Sequence, residues 1–269
     1  MSDSILPASD EHLTDGWEPD LPATDSLVRQ AVLAHASWPI AVAISSGRPW
    51  HRDDDWSGAW LGDRGEFTNM VMPTRPPRDP GALVAGFNAL VPAHASYVLF
   101  DAWQTDLSPY GLRLLGHPPV MVRFPGPPPA TSGRAADVRE VITADELATA
   151  ERIVVEGYPL PDVQPLSRGD VFGTTILEGP TRLWLGFLDD EPVSVAVAHH
   201  DSGVVLVQYV ATLPQARGRG LGAAVTWAAT LSEPESPAML VASDDGRPVY
   251  ERMGYHALER WSAWLRLAV

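Results

Sequence analysis

Residues 217–222, Arg217-Gly218-Arg219-Gly220-Leu221-Gly222, carry the residue types and spacing that specify chemistry most directly in this chain. Three alternate glycines free the backbone from the limits a Cβ imposes and let a ligand come against the main chain. The residues from Leu221 to Leu231 follow a helical apolar pattern, with Leu221, Val225, Ala228 and Leu231 as its buried stripe. A ligand in the loop therefore meets the unpaired N–H groups and the positive dipole end of a helix. Two arginines beside that end add charge and forked donors. The chemistry is recognition of a phosphate or diphosphate. Upstream, Val204 to Leu213 is a short β-branched and apolar run, a strand that Pro214 ends because it lacks the ladder donor.

A nucleoside-triphosphate loop requires Gly-Lys followed by Ser or Thr, and the chain contains no lysine. Gly218, Gly220 and Ala223 also fit the dinucleotide pattern G-x-G-x-x-A, but that motif opens a long alternating strand–helix domain, and only about fifty residues follow. A glycine-rich connector without a ligand is the remaining alternative. The combination of strand, spaced glycines, paired arginines and immediate helix weighs against it.

Arg217-x-x-Gly220-x-Gly222 after a strand resembles the acetyl-CoA-binding signature of the GNAT superfamily of N-acetyltransferases. Val249-Tyr250-Glu251-Arg252-Met253-Gly254-Tyr255 resembles the family's second signature, a helix with Tyr three residues before Met-Gly and then an aromatic. The resemblance covers roughly residues 135–269. It implies an α+β fold, a mostly antiparallel mixed sheet with flanking helices, and acetyl-CoA as co-substrate. The diphosphate would take the amides of Arg217, Gly218, Arg219, Gly220, Leu221 and Gly222, and the pantetheine arm would pair near Val210 and Thr212. Direct attack by a primary amine in a ternary complex follows, with a strand N–H for the oxyanion and Tyr250 beside the departing thiolate. A Tyr pKa of about 10 against a thiol of about 8.5 makes complete proton transfer uphill by ~2 kcal/mol, so a hydrogen bond is the expected role. A packed helix aromatic is the alternative for Tyr250. No general base is assigned. The strand Val204–Leu213 holds no acid, and Glu178, His199, Asp201 and Glu233 are candidates without a positional argument. The competing class is a non-catalytic acyl-CoA sensor or interaction module.

The elements that must hold this loop occupy a 269-residue chain, enough for two domains at ~150 residues each. Hydrophobic residues make up 45% and charged residues 20%, as in ordinary globular proteins. The net charge of −15 repels nucleic acid and anionic membrane, so neither is an expected partner. With no cysteine there is no disulfide, thiolate metal site or cysteine nucleophile. No run of about 18 apolar residues and no basic-then-apolar leader is visible, which gives a cytoplasmic expectation. Residues 1–25 read as an acidic tail, with Trp17 as a possible anchor, and 125–134 as a Pro/Gly linker. The domains expected are 26–124 and 135–269. The order strand, Pro-started helix, glycine, strand occurs in both, each time ending in apolar-Arg-apolar (Val122-Arg123-Phe124 and Leu265-Arg266-Leu267). The first domain is thus expected to be a degenerate GNAT-like unit, or else an unrelated α+β domain. Its corresponding loop, Arg75-Pro76-Pro77-Arg78-Asp79-Pro80-Gly81, lacks the amides a diphosphate needs.

In the second domain Val138–Ile142 is the first strand, followed by a helix capped by Thr143 or Asp145 that runs to about Gly157, and Tyr158–Gly173 is irregular. Thr181–Leu188 and a hairpin of Glu191–Ala198 with Val204–Leu213 follow. His199 and His200 lie on opposite faces and are expected at the surface of the hairpin end. The Trp50–Asp55 run, His51 with three acids, reads as a solvated turn, and no metal is expected.

Overall fold

The structure, a computed structural model, describes residues 26–65, 67–128 and 137–269. The acidic segment 1–25 with Trp17, and the end of the linker, lie outside the described residues. The first part of the chain forms α1 (Leu27–Ser46), β1 (Trp50–Arg52), β2 (Trp56–Ala59), β3 (Met70–Pro73), α2 (Pro80–Leu90), β4 (Tyr97–Asp101), β5 (Arg113–Gly116) and β6 (Pro119–Arg123). The second forms β7 (Asp137–Glu140), α3 (Ala144–Gly157), β8 (Thr181–Leu188), β9 (Glu191–Asp201), β10 (Val204–Thr212) and α4 (Leu221–Thr230). It ends with β11 (Ala238–Val241), α5 (Arg247–Arg252), β12 (His256–Arg260) and β13 (Ser262–Arg266).

Two mixed sheets result, in the orders β1-β2-β3-β4-β13-β5 and β12-β6-β11-β10-β9-β8-β7. Each half of the chain lends a strand to the other: β6 lies between β11 and β12, and β13 between β4 and β5. Apart from β7 the two orders correspond strand for strand. In each sheet a single parallel step interrupts antiparallel pairing, at Met70↔Val98 and Val71↔Leu99 in the first, and at Val205↔Ala238 and Leu206↔Met239 in the second.

The exchanged strands carry the two arginines of the repeated apolar-Arg-apolar pattern, and both are used alike. Arg123 lies 4.8 Å over the Trp227 ring and donates to the carbonyls of Met253, Phe124, Gly126 and Pro127. Arg266 lies 4.6 Å over the Tyr97 ring and donates to the carbonyls of Val91, Pro92 and Ala95 and to Asn88. Ring faces and carbonyl dipoles, rather than carboxylates, compensate both charges.

Local sequence explains most helix starts. Ser26 caps α1, Asp79 caps α2 ahead of Pro80, and Thr143 with Glu146 forms a capping box on α3. Helix α1 runs on through Pro39, because Trp38, Ile40 and Val42 are buried along its second half. It is the one described helix long and apolar enough to cross a membrane, yet 61% of that stretch is buried inside the protein. Ser108–Tyr110 forms a 3-10 turn, after which the chain enters β5. Strand β12 was not anticipated, since its largely exposed residues form no apolar run. The hairpin between β9 and β10 turns at Ser202 (φ +52°) and Gly203 (φ +74°), two positive values that match the strands' twist.

Helices α1 and α3 cover one face of the second sheet, where Val195, Val197, Val204 and Leu206 meet Trp38, Leu147 and Val154. Helix α4 covers the other, against Ala196, Ala198, Val205 and Val207. Its buried stripe is Leu221, Val225 and Ala229; Ala228 lies only partly within it.

Candidate active site

The site begins where β10 and β11 part. Strand β10 pairs with β9 as far as Thr212↔Ser194, but with β11 only at Val205 and Leu206, while β11 continues against β6 to Val241. The last part of β10 therefore has an open edge. A bulge between Gln208 and Ala211 bends the strand there. Inside it Tyr209 has φ +47°, a conformation costing an aromatic residue about 1–3 kcal/mol. Packing offsets that cost: Trp38 at 5.6 Å, Phe172 at 5.8 Å and Tyr158 at 6.4 Å surround the Tyr209 ring.

Beyond β10 a 3-10 turn, Pro214–Ala216, leads into the glycine loop. Gly218 (φ +74°) and Gly220 (φ +82°) take left-handed conformations, and a Cβ on either would meet nothing within 4 Å. The loop's front is open. Gly220 is the N-cap of α4 and offers no side-chain acceptor, in contrast to Ser26, Asp79 and Thr143 on the three preceding helices. The first-turn amides of α4 thus keep their capacity for an anion, with Leu221 and Gly222 in that turn. Gly222 brings the helix close to the strand, since a Cβ there would lie 3.3 Å from Thr212 Oγ1. At the matching place in the first sheet, Asp79 already fills that role by accepting from Ala82 N at 3.0 Å.

The two loop arginines differ. Arg219 is exposed. Arg217 turns its guanidinium onto protein carbonyls, Nε to Thr212 at 3.1 Å and Nη2 to Gly157 at 2.8 Å, and so ties the end of α3 to β10. Sequence reasoning missed Tyr158, the next residue, whose hydroxyl donates to the Val210 carbonyl at 2.9 Å. Tyr250 on α5 packs its ring edge-on to Tyr255 at 5.9 Å and lies near enough to Tyr158 to affect its ionisation. Desolvation raises the pKa of Tyr158, with help from the Tyr250 and Tyr209 phenols, and also raises that of Tyr209. Burial pushes Tyr250 up to about 12. These groups are hydrogen-bond donors at neutral pH, not bases.

No base candidate from the sequence reaches this place. His199 pairs with Leu206, four residues before Val210, a distance of roughly 13 Å along a strand. Contrary to the surface expectation, His199 is 2% exposed, because α1 packs over that face. Ser37 Oγ, itself donating to the Ala34 carbonyl, and Thr181 Oγ1 each lie 2.9 Å from a ring nitrogen of His199. Burial lowers its pKa to about 4. His200 is on the opposite face, bonded to Ser232 and 3.8 Å from Glu233. Asp201 pairs with Val204, further still, and exposed Glu178 precedes the strand residue opposite His199. A second missed residue, Glu151, is 1% exposed and accepts from the amides of Gly169, Val171 and Phe172. Its signal was an acid on the apolar side of α3, and it fixes the segment that sets Phe172 against Tyr209. With three N–H donors on its oxygens, its carboxyl group is committed to holding that segment. Asp53, in the His51 run, accepts from the amides of Asp55 and Trp56 in a turn. Among the described residues no three His, Asp or Glu side chains could hold a metal together.

The second sheet has one parallel step, not the parallel sheet that a dinucleotide-binding domain builds. No family model matches the sequence, and no curated protein does. Solved structures do match. A GCN5-related N-acetyltransferase from Kribbella flavida is 21% identical with a TM-score of 0.61, covering 89% of this chain and 95% of its own. Another from Sphaerobacter thermophilus is 15% identical with a TM-score of 0.54, covering 92% and 93%. A putative GNAT-family acetyltransferase from Novosphingobium aromaticivorans is 17% identical with a TM-score of 0.53, covering 85% and 97%. Across most of its length, then, this chain has the fold of the GCN5-related N-acetyltransferases.

Proposed function

We propose that the protein is an acyltransferase that moves the acetyl group of acetyl-CoA to a primary amine of a small molecule or peptide. The observation that carries this reading is the uncapped N-terminus of α4 behind two left-handed glycines, set at the open edge of β10. The diphosphate fits the amides of residues 217–222, with Arg219 adding charge, and the arm fits the edge carrying Val210 and Thr212. The fold likeness supports acyl transfer; the donor and acceptor are part of the proposal. So are a cytoplasmic location and the absence of nucleic-acid or membrane partners, the last two supported by the net charge of −15.

In the reaction the amine nitrogen bonds to the thioester carbon, the oxyanion takes a strand N–H, and the C–S bond breaks to leave the thiolate. The Tyr250 hydroxyl is the donor for that sulfur. With its pKa raised to about 12, giving its proton to a thiolate whose thiol has a pKa of about 8.5 is uphill by ~5 kcal/mol, so it hydrogen-bonds without transferring. None of the candidate bases lies where β10 and β11 part, so the amine's proton leaves through water. That same lack is what favours the second reading, a non-catalytic acyl-CoA sensor. Incubation with acetyl-CoA and a panel of amines, following free thiol and acetylated product by mass, separates them. Product formation supports transfer; binding without thiol release across the panel establishes the sensor.

A further inference from the structure

Ala211 and Leu213 face β9, since the Ala211 carbonyl accepts from Ser194 and the Leu213 amide donates to Val193. The carbonyls of Val210 and Thr212 instead meet side chains on the side that β11 leaves open. An unpaired edge is costly unless something satisfies it. Here two side chains do, Tyr158 on Val210 and Arg217 on Thr212. Arg217 also holds the Gly157 carbonyl, so the residues next to each other at the end of α3 are latched to that edge together.

We propose that Tyr158 is a placeholder for the cofactor's arm: its hydroxyl occupies the Val210 carbonyl that an arm amide N–H takes over on binding. The inference rests on the acetyl-CoA reading and adds a residue to it. Tyr158 is suited to the exchange because the residue is 45% exposed and its ring can swing outward into water, unlike Phe172, which is fully buried. An arm amide that replaces the hydroxyl recovers the same hydrogen bond, so the wild-type protein gains little from it. Without the hydroxyl, the carbonyl is free and binding adds a bond that was not there before.

The test is calorimetric titration of wild type and Tyr158→Phe with coenzyme A and with adenosine 3′,5′-bisphosphate, which has phosphates but no arm. The expected result is coenzyme A binding about 2- to 10-fold tighter to the variant, the range one net hydrogen bond gives. The bisphosphate should bind both proteins equally. Unchanged or weaker coenzyme A binding by a variant that binds the bisphosphate normally overturns the placeholder role alone. A matching gain for the bisphosphate also overturns it, since the arm would then not be the cause. Wild type that binds neither compound overturns the acetyl-CoA reading and this inference with it. Thermal unfolding of both proteins shows whether the variant is folded, and Tyr158→Leu repeats the comparison if it is not.

Discussion

Cutting the chain between β6 and β7 places the break in the linker, yet it removes from the second sheet a strand that nothing in the remaining fragment can replace. Strand β6 pairs on one side with Ala238–Val241 and on the other with residues of β12. Its Val120, Met121 and Val122 are 1%, 0% and 3% exposed in the intact protein. At about 1.5–3 kcal/mol for each fully buried apolar side chain, their loss amounts to roughly 5–9 kcal/mol. The broken ladders and the newly exposed flanks of Met239 and Leu240 come on top of that. Whole domains are stable by about 5–15 kcal/mol, so residues 137–269 alone are expected not to fold. Far-UV circular dichroism through a urea titration of that fragment measures this, and adding a fragment of residues 26–128 should restore a cooperative transition. A lone 137–269 fragment that unfolds cooperatively at the same urea midpoint as the full chain would refute the argument, because β6 would then be dispensable.

Gly220→Ala should lower stability by about 1–2 kcal/mol, since the position is left-handed and the cost is conformational, with no packing clash to relieve. The methyl would also stand in the loop's open front, so coenzyme A affinity measured by calorimetry should fall by more than the stability loss explains. Tyr250→Phe should reduce kcat about 10- to 100-fold, with KM for acetyl-CoA little changed, as expected for a donor used only as the sulfur departs; equal kcat in the variant removes Tyr250 from the reaction. Burial lowers His35 and His199 to about 4 in the folded protein, against about 6.5 unfolded. The unfolded chain then binds more protons, so stability should fall as pH drops from 6.5 towards 4, by up to ~3 kcal/mol per histidine. Urea midpoints across that range, compared with His199→Asn, measure it; a variant with the same slope as wild type would remove His199 from the effect.

The loop at 217–222, the strand before it and the helix after it were legible because each depends on short-range chemistry. Glycine admits left-handed backbone, proline ends a strand, and an apolar repeat makes a helix wherever it is buried. The cap of α3, read as Thr143 or Asp145 and found at Thr143, is local in the same way. The repeated apolar-Arg-apolar strands were visible too, as was the absence of an acid along β10. What the sequence could not decide is which sheet each of those strands joins, since β6 and β13 are equally apolar and either sheet would bury them. Tertiary pairing settled that exchange, and with it the expectation that the two halves do not fold apart when cut at the linker. It also decided the environment of single side chains. His199 reads as a hairpin-end residue until α1 arrives from more than 150 positions away to bury it. Tyr158 reads as a loop aromatic until the parting of β10 and β11 leaves a carbonyl for it to hold. Local patterns fix which elements form, because their energies come from neighbours in the chain; the site's partners come from long-range packing, which no single stretch contains.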